Sequence, residues 1–565
     1  MSGRPGRAES AGRAGLIAIG ASVAGTFAVA VAGPSVMEPA LPGRPGQPPW
    51  SFGLHPSPYL AVGLTAAALA AGTVGLVLVL RAVRGGWSVP ARAVLVAGLL
   101  AAAALTLVPP FGSSDHLSYA AYGRMLVTGH NPYTTTPAQL AALGDPIARA
   151  VQDWARSPSV YGPLATAIQA LAALAGGTSV RLTVFVLGLA NLAAFAGTAL
   201  LLHRMTRGNP EWQLRAALLW AANPLLLQVL VAGAHVDSQA VVFGVAAVAV
   251  ISPHGGPRGF GGAGSPSQGG SGGMGPPGKE SRGDMGGIVP PASRAALAGA
   301  LVGLGFAVKV TIALVGLGLA LAVVLRARRQ PRPLWRRQWP ALAGLAAGFA
   351  VTAGAAVAIG GSAMLRQSAQ ASDMVSIGSP WRVIRTIIHL AVTGTAATDL
   401  VKAGAVALAV VLAVLLIRGL EPGSAGSRAA YPVVVFAVVM AWLFAWPYVL
   451  PWYDALAWAL LALVPLAPGG AAEALGWILL ARTAALGFGY LPARQADATL
   501  PAGLGWLQPV IRHGVTPAVL AAATGWLVLA MVRARRENGP NGPGIPAVAQ
   551  PGATTAKAGT MSPDR

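Results

Sequence analysis

The sequence predicts an all-α polytopic membrane protein, a bundle of roughly 12–15 transmembrane helices with a large external loop. Three observations predict it. Many apolar runs reach the roughly 20 residues needed to cross a bilayer. Of 565 residues 55% are hydrophobic and only 10% charged, with a mean hydropathy of +0.62. Many basic residues cluster at the ends of apolar runs, as the positive-inside rule requires. The same placement removes nucleic acid as a partner, despite a net charge of +22. A β-barrel is excluded because the runs are continuous rather than alternating. The chain has no cysteine, so disulfides and thiolate chemistry are absent.

The N-terminal helices occupy residues 1–90. Arg4, Arg7 and Arg13 precede a run at 14–33 and set the N-terminus in the cytoplasm. Ala30-Val31-Ala32 resembles a signal-peptide cleavage site, but the run is long for an h-region, so a retained helix is expected. A second run at 57–80 ends at Arg81, Arg84 and Arg92, a cytoplasmic turn.

Residues 91–252 are the first half of the core. The run at 91–108 leads through Pro109-Pro110 to Asp115 and a polar loop at 111–163 on the outer face. Only 17 residues of the chain are acidic, so a carboxylate held at a bilayer interface is a functional candidate. The bland alternative is a helix cap. Leu117, Ala120, Ala121 and Met125 have helical spacing, and a second short helix is expected at 145–154; both would lie flat in the interface. Asn131-Pro132-Tyr133 is a turn signal between them. The stretch 161–176 is expected to be re-entrant or surface-packed, which keeps His203, Arg204, Arg207 and Arg215 inside. Runs at 180–202, 213–232 and 236–252 follow, with His235 and Asp237 in an external turn.

Residues 253–293 are dominated by Gly, Pro and Ser, a composition that cannot bury a core, and are expected to form a disordered cytoplasmic linker. The C-terminal half is 294–533. Its first stretch, 294–326, is too long for one upright crossing, so two short helices should meet near Lys309 and bring it toward the outer side. Arg326, Arg328, Arg329, Arg332, Arg336 and Arg337 return the chain inside. A run at 340–360 leads to an external loop at 361–396, and further runs lie at 398–417, 431–450, 453–468, 473–490 and 515–532. A disordered cytoplasmic tail is expected at 534–565. This amounts to roughly 14 crossings with both ends in the cytoplasm.

On this topology the outer face collects Asp115 and His116, His235 and Asp237, Lys309, then Arg366, Arg382, Arg385 and His389, and the aromatic segment with Tyr448, Tyr453 and Asp454. Arginine forks grip phosphate oxygens, and aromatic rings anchor at headgroup level. Such a site suits a lipid carrying a phosphate and a polar head. Each member has a plainer reading. The rings can be an interface belt, Arg382 and Arg385 can contact membrane lipid headgroups, and His235 can be a polar helix end. His116 and His235 with Asp115 and Asp237 are metal-ligating types. No HxxxH or HExxH spacing indicates a divalent metal, and no cofactor is expected.

The pattern Asp115-xxx-Tyr119, Tyr122-Gly123, Gly129-His130-Asn131-Pro132-Tyr133 and Tyr161-Gly162-Pro163 resembles the first extracytoplasmic loop of GT-C glycosyltransferases. More narrowly, it is similar to the actinobacterial polyprenol-phosphomannose-dependent α-1,6-mannosyltransferases. Gly305-Phe306-Ala307-Val308-Lys309 and Pro447-Tyr448-xx-Pro451-Trp452-Tyr453 also look like that family. The resemblance runs from about residue 90 onward. It implies a GT-C-type bundle in the cytoplasmic membrane with an extracytoplasmic active site. The implied activity is inverting transfer of mannose from polyprenyl-phosphomannose to a lipid-linked α-1,6-mannan of the lipomannan type.

With a lipid phosphate as leaving group, already a weak base, no general acid is needed. One carboxylate suffices to take the acceptor proton. Asp115 is the expected catalytic base. Expected substrate contacts are His116, Tyr119, Asn131, Tyr133, Tyr161, His235, Asp237, Lys309, Arg382, Arg385, Tyr448 and Tyr453. Positive side chains would stabilise the departing phosphate. The rival class is a transporter or flippase of a lipid-linked sugar. That would need ionisable residues deep in helices, whereas here they lie mostly at helix ends. A non-catalytic partner of a cell-wall synthase is the third class.

Overall fold

The computed structural model describes residues 4–252, 290–328, 336–392, 395–420, 430–465, 470–492 and 500–537. The linker expected at 253–293 and the tail expected at 534–565 lie almost wholly outside the described residues. Among the described residues the chain is helical and forms no β-strand. Among the described residues eight helical segments are long and apolar enough to cross a membrane, one of them, Pro210–Ala232, interrupted, and there are six shorter apolar helices. In a hydrocarbon environment a helix satisfies all its backbone groups internally, which suits Ala- and Leu-rich runs with so few polar side chains.

Helices α1 (Arg4–Ala32) and α2 (Pro58–Arg84) form a closely packed hairpin. A Cβ at Gly75 would lie 2.9 Å from the carbonyl oxygen of Gly15, so the backbones touch through small residues. The connecting loop reaches the core: the amide of Gly112 donates to the carbonyl of Met37 at 2.7 Å. The N-terminal hairpin therefore walls the start of the loop that carries Asp115.

The first half continues through α3 (Ala91–Thr106), α4 (Asp115–Val127), α5 (Pro137–Ala142), α6 (Pro146–Arg149), α7 (Pro163–Gly176), α8 (Val180–Met205) and α9 (Pro210–Leu219). It ends with α10 (Pro224–Leu226), a wide turn at Leu227–Ala232 and α11 (Asp237–Ile251). The first loop helix forms as its spacing predicts. The second differs: the helix expected at 145–154 is only the four-residue α6, and a further short helix, α5, precedes it. Thr136 and Asp145 cap them, and Pro137 and Pro146 occupy their first positions, so local cap chemistry decided the boundaries. At 14 residues, α7 is about 21 Å long and shorter than the roughly 30 Å hydrocarbon core. The run at 213–232 is not one helix, because it breaks after Leu219 and restarts where Asn223 caps Pro224.

In the second half α12 (Ala292–Phe306) and α13 (Ala313–Arg328) flank a break that holds Lys309, as the length of the run predicts. They are followed by α14 (Trp339–Ser372), α15 (Pro380–Ile388), α16 (Thr395–Gly419), α17 (Ala430–Ala445), α18 (Ala455–Leu461), α19 (Ala471–Gly489) and α20 (Thr516–Glu537). The external loop expected at 361–396 is shorter than anticipated, because α14 continues to Ser372 through a kink at Gly361. There φ is 67° and ψ −176°, a conformation essentially reserved for glycine. Helices α12 and α14 approach backbone to backbone through glycines spaced by four on both: Gly299 and Gly303 lie against Leu345 and Thr352 of α14, and Gly344 and Gly348 against Ala292 and Ala296 of α12. Helices α11 and α12 pack side by side and join the two halves.

Candidate active site

The site is built where the first loop, the turn before α11, the break at Lys309 and the turn before α18 meet. Asp115 opens α4. Its amide is held by the hydroxyl of Ser113 at 3.1 Å. Ser114 donates to the carboxylate of Asp153, and Ser118 donates to the Asp153 carbonyl at 3.1 Å. These bonds fold residues 153 and 154 back over the start of α4. Trp154 adopts a left-handed backbone, φ 63°, which is strained for a bulky residue. That backbone directs its indole N–H to Oδ1 of Asp115 at 3.1 Å.

The other carboxylate oxygen faces His235, whose Nδ1 lies 3.7 Å from Oδ2 of Asp115. The same nitrogen is 3.4 Å from the hydroxyl of Tyr119, which accepts from the hydroxyl of Tyr161 at 3.3 Å. The Tyr119 and Tyr161 rings meet edge to face at 5.1 Å. His235 is fixed from behind. The amide of Asn191 donates to the carbonyl of Ala234 at 2.8 Å, and Gln239 donates to Asn191 at 2.7 Å. Trp452 stacks on the imidazole with centroids 3.5 Å apart and planes 16° apart.

Lys309 donates to Oδ1 of Asp237 at 2.7 Å and lies 4.0 Å over the ring of Tyr453. Oδ2 of Asp237 is buried without a partner. Tyr161-Gly162-Pro163 docks on the strand-like break that carries the lysine: the amide of Gly162 donates to the carbonyl of Val308 at 3.1 Å. A Cβ at Gly162 would collide with the carbonyl of Ala307, so the motif needs glycine for this approach. Narrow cavities of about 30 and 20 Å³ border Trp452, one reaching His235 and the other Lys309 and Asp237.

Burial pushes the Asp115 carboxyl up to about 6; the Trp154 bond opposes this and the Asp153 charge adds to it. Burial pushes the His235 ring well below its usual range, with Lys309 reinforcing the effect, so it is neutral. His116 is fully buried and held near 3 by burial, and neither ring nitrogen has a partner. Tyr119 and Tyr161 are pushed up by burial and stay protonated.

Asp115, Tyr119, Tyr161, His235, Asp237, Lys309 and Tyr453 thus come together, with Tyr448 edge-on to Tyr453 at 6.0 Å. Other expected contacts lie elsewhere. Asn131 is exposed and accepts from the amide of Tyr133, closing a turn. Tyr133 bonds to Thr166 at 3.1 Å and packs on Ala363 and Met364, clamping the loop to α14. Arg382 and Arg385 sit on α15, which buries no side chain. Asp454 turns away from the site to Arg482 at 2.9 Å. Among the described residues no three acidic or histidine side chains converge as a metal cluster. Trp154, Asp153, Asn191 and Gln239 hold the site without being among the contacts expected from the sequence, and Trp452 is legible there only as part of the aromatic motif. Asn191, a lone amide inside an apolar run, was the legible signal.

No solved structure matches the chain. Three curated relatives do. The chain is 33% identical over 140 residues to α-(1→6)-mannopyranosyltransferase B of Corynebacterium glutamicum, which covers 24% of this chain and 23% of the relative. It is 32% identical over 146 residues to a probable α-(1→6)-mannopyranosyltransferase of Mycolicibacterium smegmatis, 25% of each chain. It is 31% identical over 146 residues to an α-(1→6)-mannopyranosyltransferase of Mycobacterium tuberculosis, covering 25% of this chain and 24% of the relative. The matched stretch spans about a quarter of the length of these relatives. The family model for the α-(1→6)-mannopyranosyltransferase N-terminal domain matches residues 13–328, more than half of the chain, including Asp115, His235 and Lys309. On that match the chain belongs to the α-(1→6)-mannopyranosyltransferase family.

Proposed function

We propose that this protein is a glycosyltransferase that moves mannose, with inversion, from polyprenyl-phosphomannose to a lipid-linked α-1,6-mannan at the outer face of the cytoplasmic membrane. The observation that carries the reading is the placement of Asp115. It is a buried carboxylate oriented by Trp154, beside neutral His235, in a chain of this family. A carboxylate raised to about 6 is ionised at neutral pH yet basic enough to take a proton.

In this mechanism Asp115 takes the proton of the acceptor hydroxyl as its oxygen forms a bond to the anomeric carbon. The bond from that carbon to the phosphate oxygen breaks, and its electron pair leaves with the lipid phosphate. Lys309, held between Asp237 and the Tyr453 ring, is the cation next to the site that stabilises the growing phosphate charge. Tyr119, Tyr161 and Tyr448 offer hydroxyls and ring faces to the sugars. Arg382 and Arg385, exposed and half-buried respectively on α15, contact the phosphate and headgroups at the membrane surface.

The experiment is transfer of radiolabelled mannose from polyprenyl-phosphomannose to a short α-mannoside in membranes bearing the protein. Transfer that depends on the protein supports the reading. Protein-dependent movement of the intact lipid-linked sugar across the membrane, without transfer, would replace it with the transporter class.

A further inference from the structure

Asp454 occupies the N-cap position of α18, where an aspartate ordinarily accepts the amides of the first turn. It makes no such bond. Both carboxylate oxygens go instead to α19: Arg482 donates from Nε to Oδ1 at 2.9 Å and Thr483 donates to Oδ2 at 2.8 Å. Trp458 donates to the Thr483 hydroxyl at 3.0 Å, and the guanidinium lies 5.1 Å over the ring of Phe444. Asp454 is 0% exposed and Arg482 2%.

A buried ion pair gives little net stability over an apolar pair of the same shape, so stability is a weak reason for its presence. Geometry offers a stronger one. Asp454 ends the turn Pro451–Asp454, and the two residues before it touch the site. Trp452 stacks on His235, and Tyr453 lies under Lys309. This turn is gripped twice, by Arg482 and Thr483 of α19 at Asp454 and by Tyr490, just past the end of α19, whose ring meets Trp452 edge-on at 5.2 Å. Trp452 also borders both cavities, so its placement shapes both the His235 side and the Lys309 side.

We propose that Asp454, Arg482 and Thr483 are positioning residues: they lock the Pro451–Asp454 turn so that Trp452 fixes His235 and Tyr453 fixes Lys309. The inference rests on the mannosyl-transfer reading for its catalytic consequence, while its geometric part stands apart from that reading. All three residues lie beyond the segment matched by the family model.

The test uses the full chain in lipid nanodiscs with isotope-labelled histidine. The chain has eight histidines, and the His235 signal, identified by its loss in His235→Gln, should be shifted upfield by the Trp452 ring. Thr483→Val keeps the shape and removes one carboxylate bond. It should move that signal toward the free-histidine position and lower mannosyl transfer by about tenfold or more. Thr483→Ser should restore both. Asp454→Asn provides a second route to the same displacement. An unmoved His235 signal in inserted Thr483→Val and Asp454→Asn overturns the proposal, as does full transfer in both. Displacement of the signal in a protein whose wild type transfers no mannose would support the positioning role and remove the transferase reading.

Discussion

The indole nitrogen of Trp154 lies 3.1 Å from Oδ1 of Asp115, held there by a left-handed backbone at φ 63°. A tryptophan in that conformation costs on the order of 1–3 kcal/mol, and strain of this kind concentrates where function needs orientation. The bond orients the carboxylate and also tunes it.

Hydrogen bonding to a carboxylate favours its charged form. Asp115, raised to about 6 by burial, should therefore give mannosyl transfer an acid limb near that pH, with activity rising as the pH increases through it. Trp154→Phe removes the bond, so the carboxyl should rise further and the acid limb should move to higher pH. The check is the pH dependence of kcat/KM for both proteins. A limb that stays in place separates Trp154 from the titrating group.

Lys309 and Asp237 form a buried pair at 2.7 Å. Lys309→Met leaves a buried carboxylate without its partner, and breaking such a pair typically costs about 3–5 kcal/mol. The double variant Lys309→Met/Asp237→Asn should recover much of that loss in thermal unfolding. Transfer should not recover, because the cation facing the phosphate is gone; losing a charge-assisted contact corresponds to roughly 10- to 150-fold. Recovery of transfer in the double variant would remove Lys309 from the donor site.

Gly162 approaches Ala307 too closely for a side chain. Gly162→Ala should force the Tyr161 loop and the Lys309 break apart, with overpacking costing about 1–3 kcal/mol. Thermal stability and transfer should fall together, measured in the same membranes. Unchanged transfer would show that the loop and the break need not be held at this distance.

The fold was legible because its signals are physical and local. Apolar runs, basic ends and the excess length of 294–326 predicted a helical bundle with a break at Lys309. Part of the site was legible for the same reason: Asp115, His235, Asp237 and Lys309 are polar residues at ends of apolar runs, and the bundle brings such ends together. The rest depends on contacts between distant segments. Trp154 reaches Asp115 from 39 residues away through a strained turn inside an expected helix. Trp452 meets His235 from the other half of the chain. Asp454 shares the aromatic segment of the site, but its charge is spent on α19. Asn131 and Tyr133 belong to a motif whose turn and clamp hold the loop together.

Arg382 and Arg385 are on a helix without buried side chains, and in the proposed reading they hold the donor phosphate and headgroups at the membrane surface. Replacing Arg382 with alanine should raise the donor KM about fivefold, the scale of one basic residue near an anionic surface, and leave kcat unchanged. A fall in kcat with unchanged KM would give the arginine a role in the transition state instead of in donor binding.

The central claim is that Asp115 takes the acceptor proton. Asp115→Asn preserves shape and can still accept from Trp154, but it removes the basicity. Transfer of radiolabelled mannose to a short α-mannoside, measured beside binding of polyprenyl-phosphomannose to the same inserted protein, tests it most directly. Donor binding should stay near normal while transfer falls about 10²–10⁴-fold. Near-normal transfer by Asp115→Asn, with loss of transfer in Asp237→Asn, would contradict it.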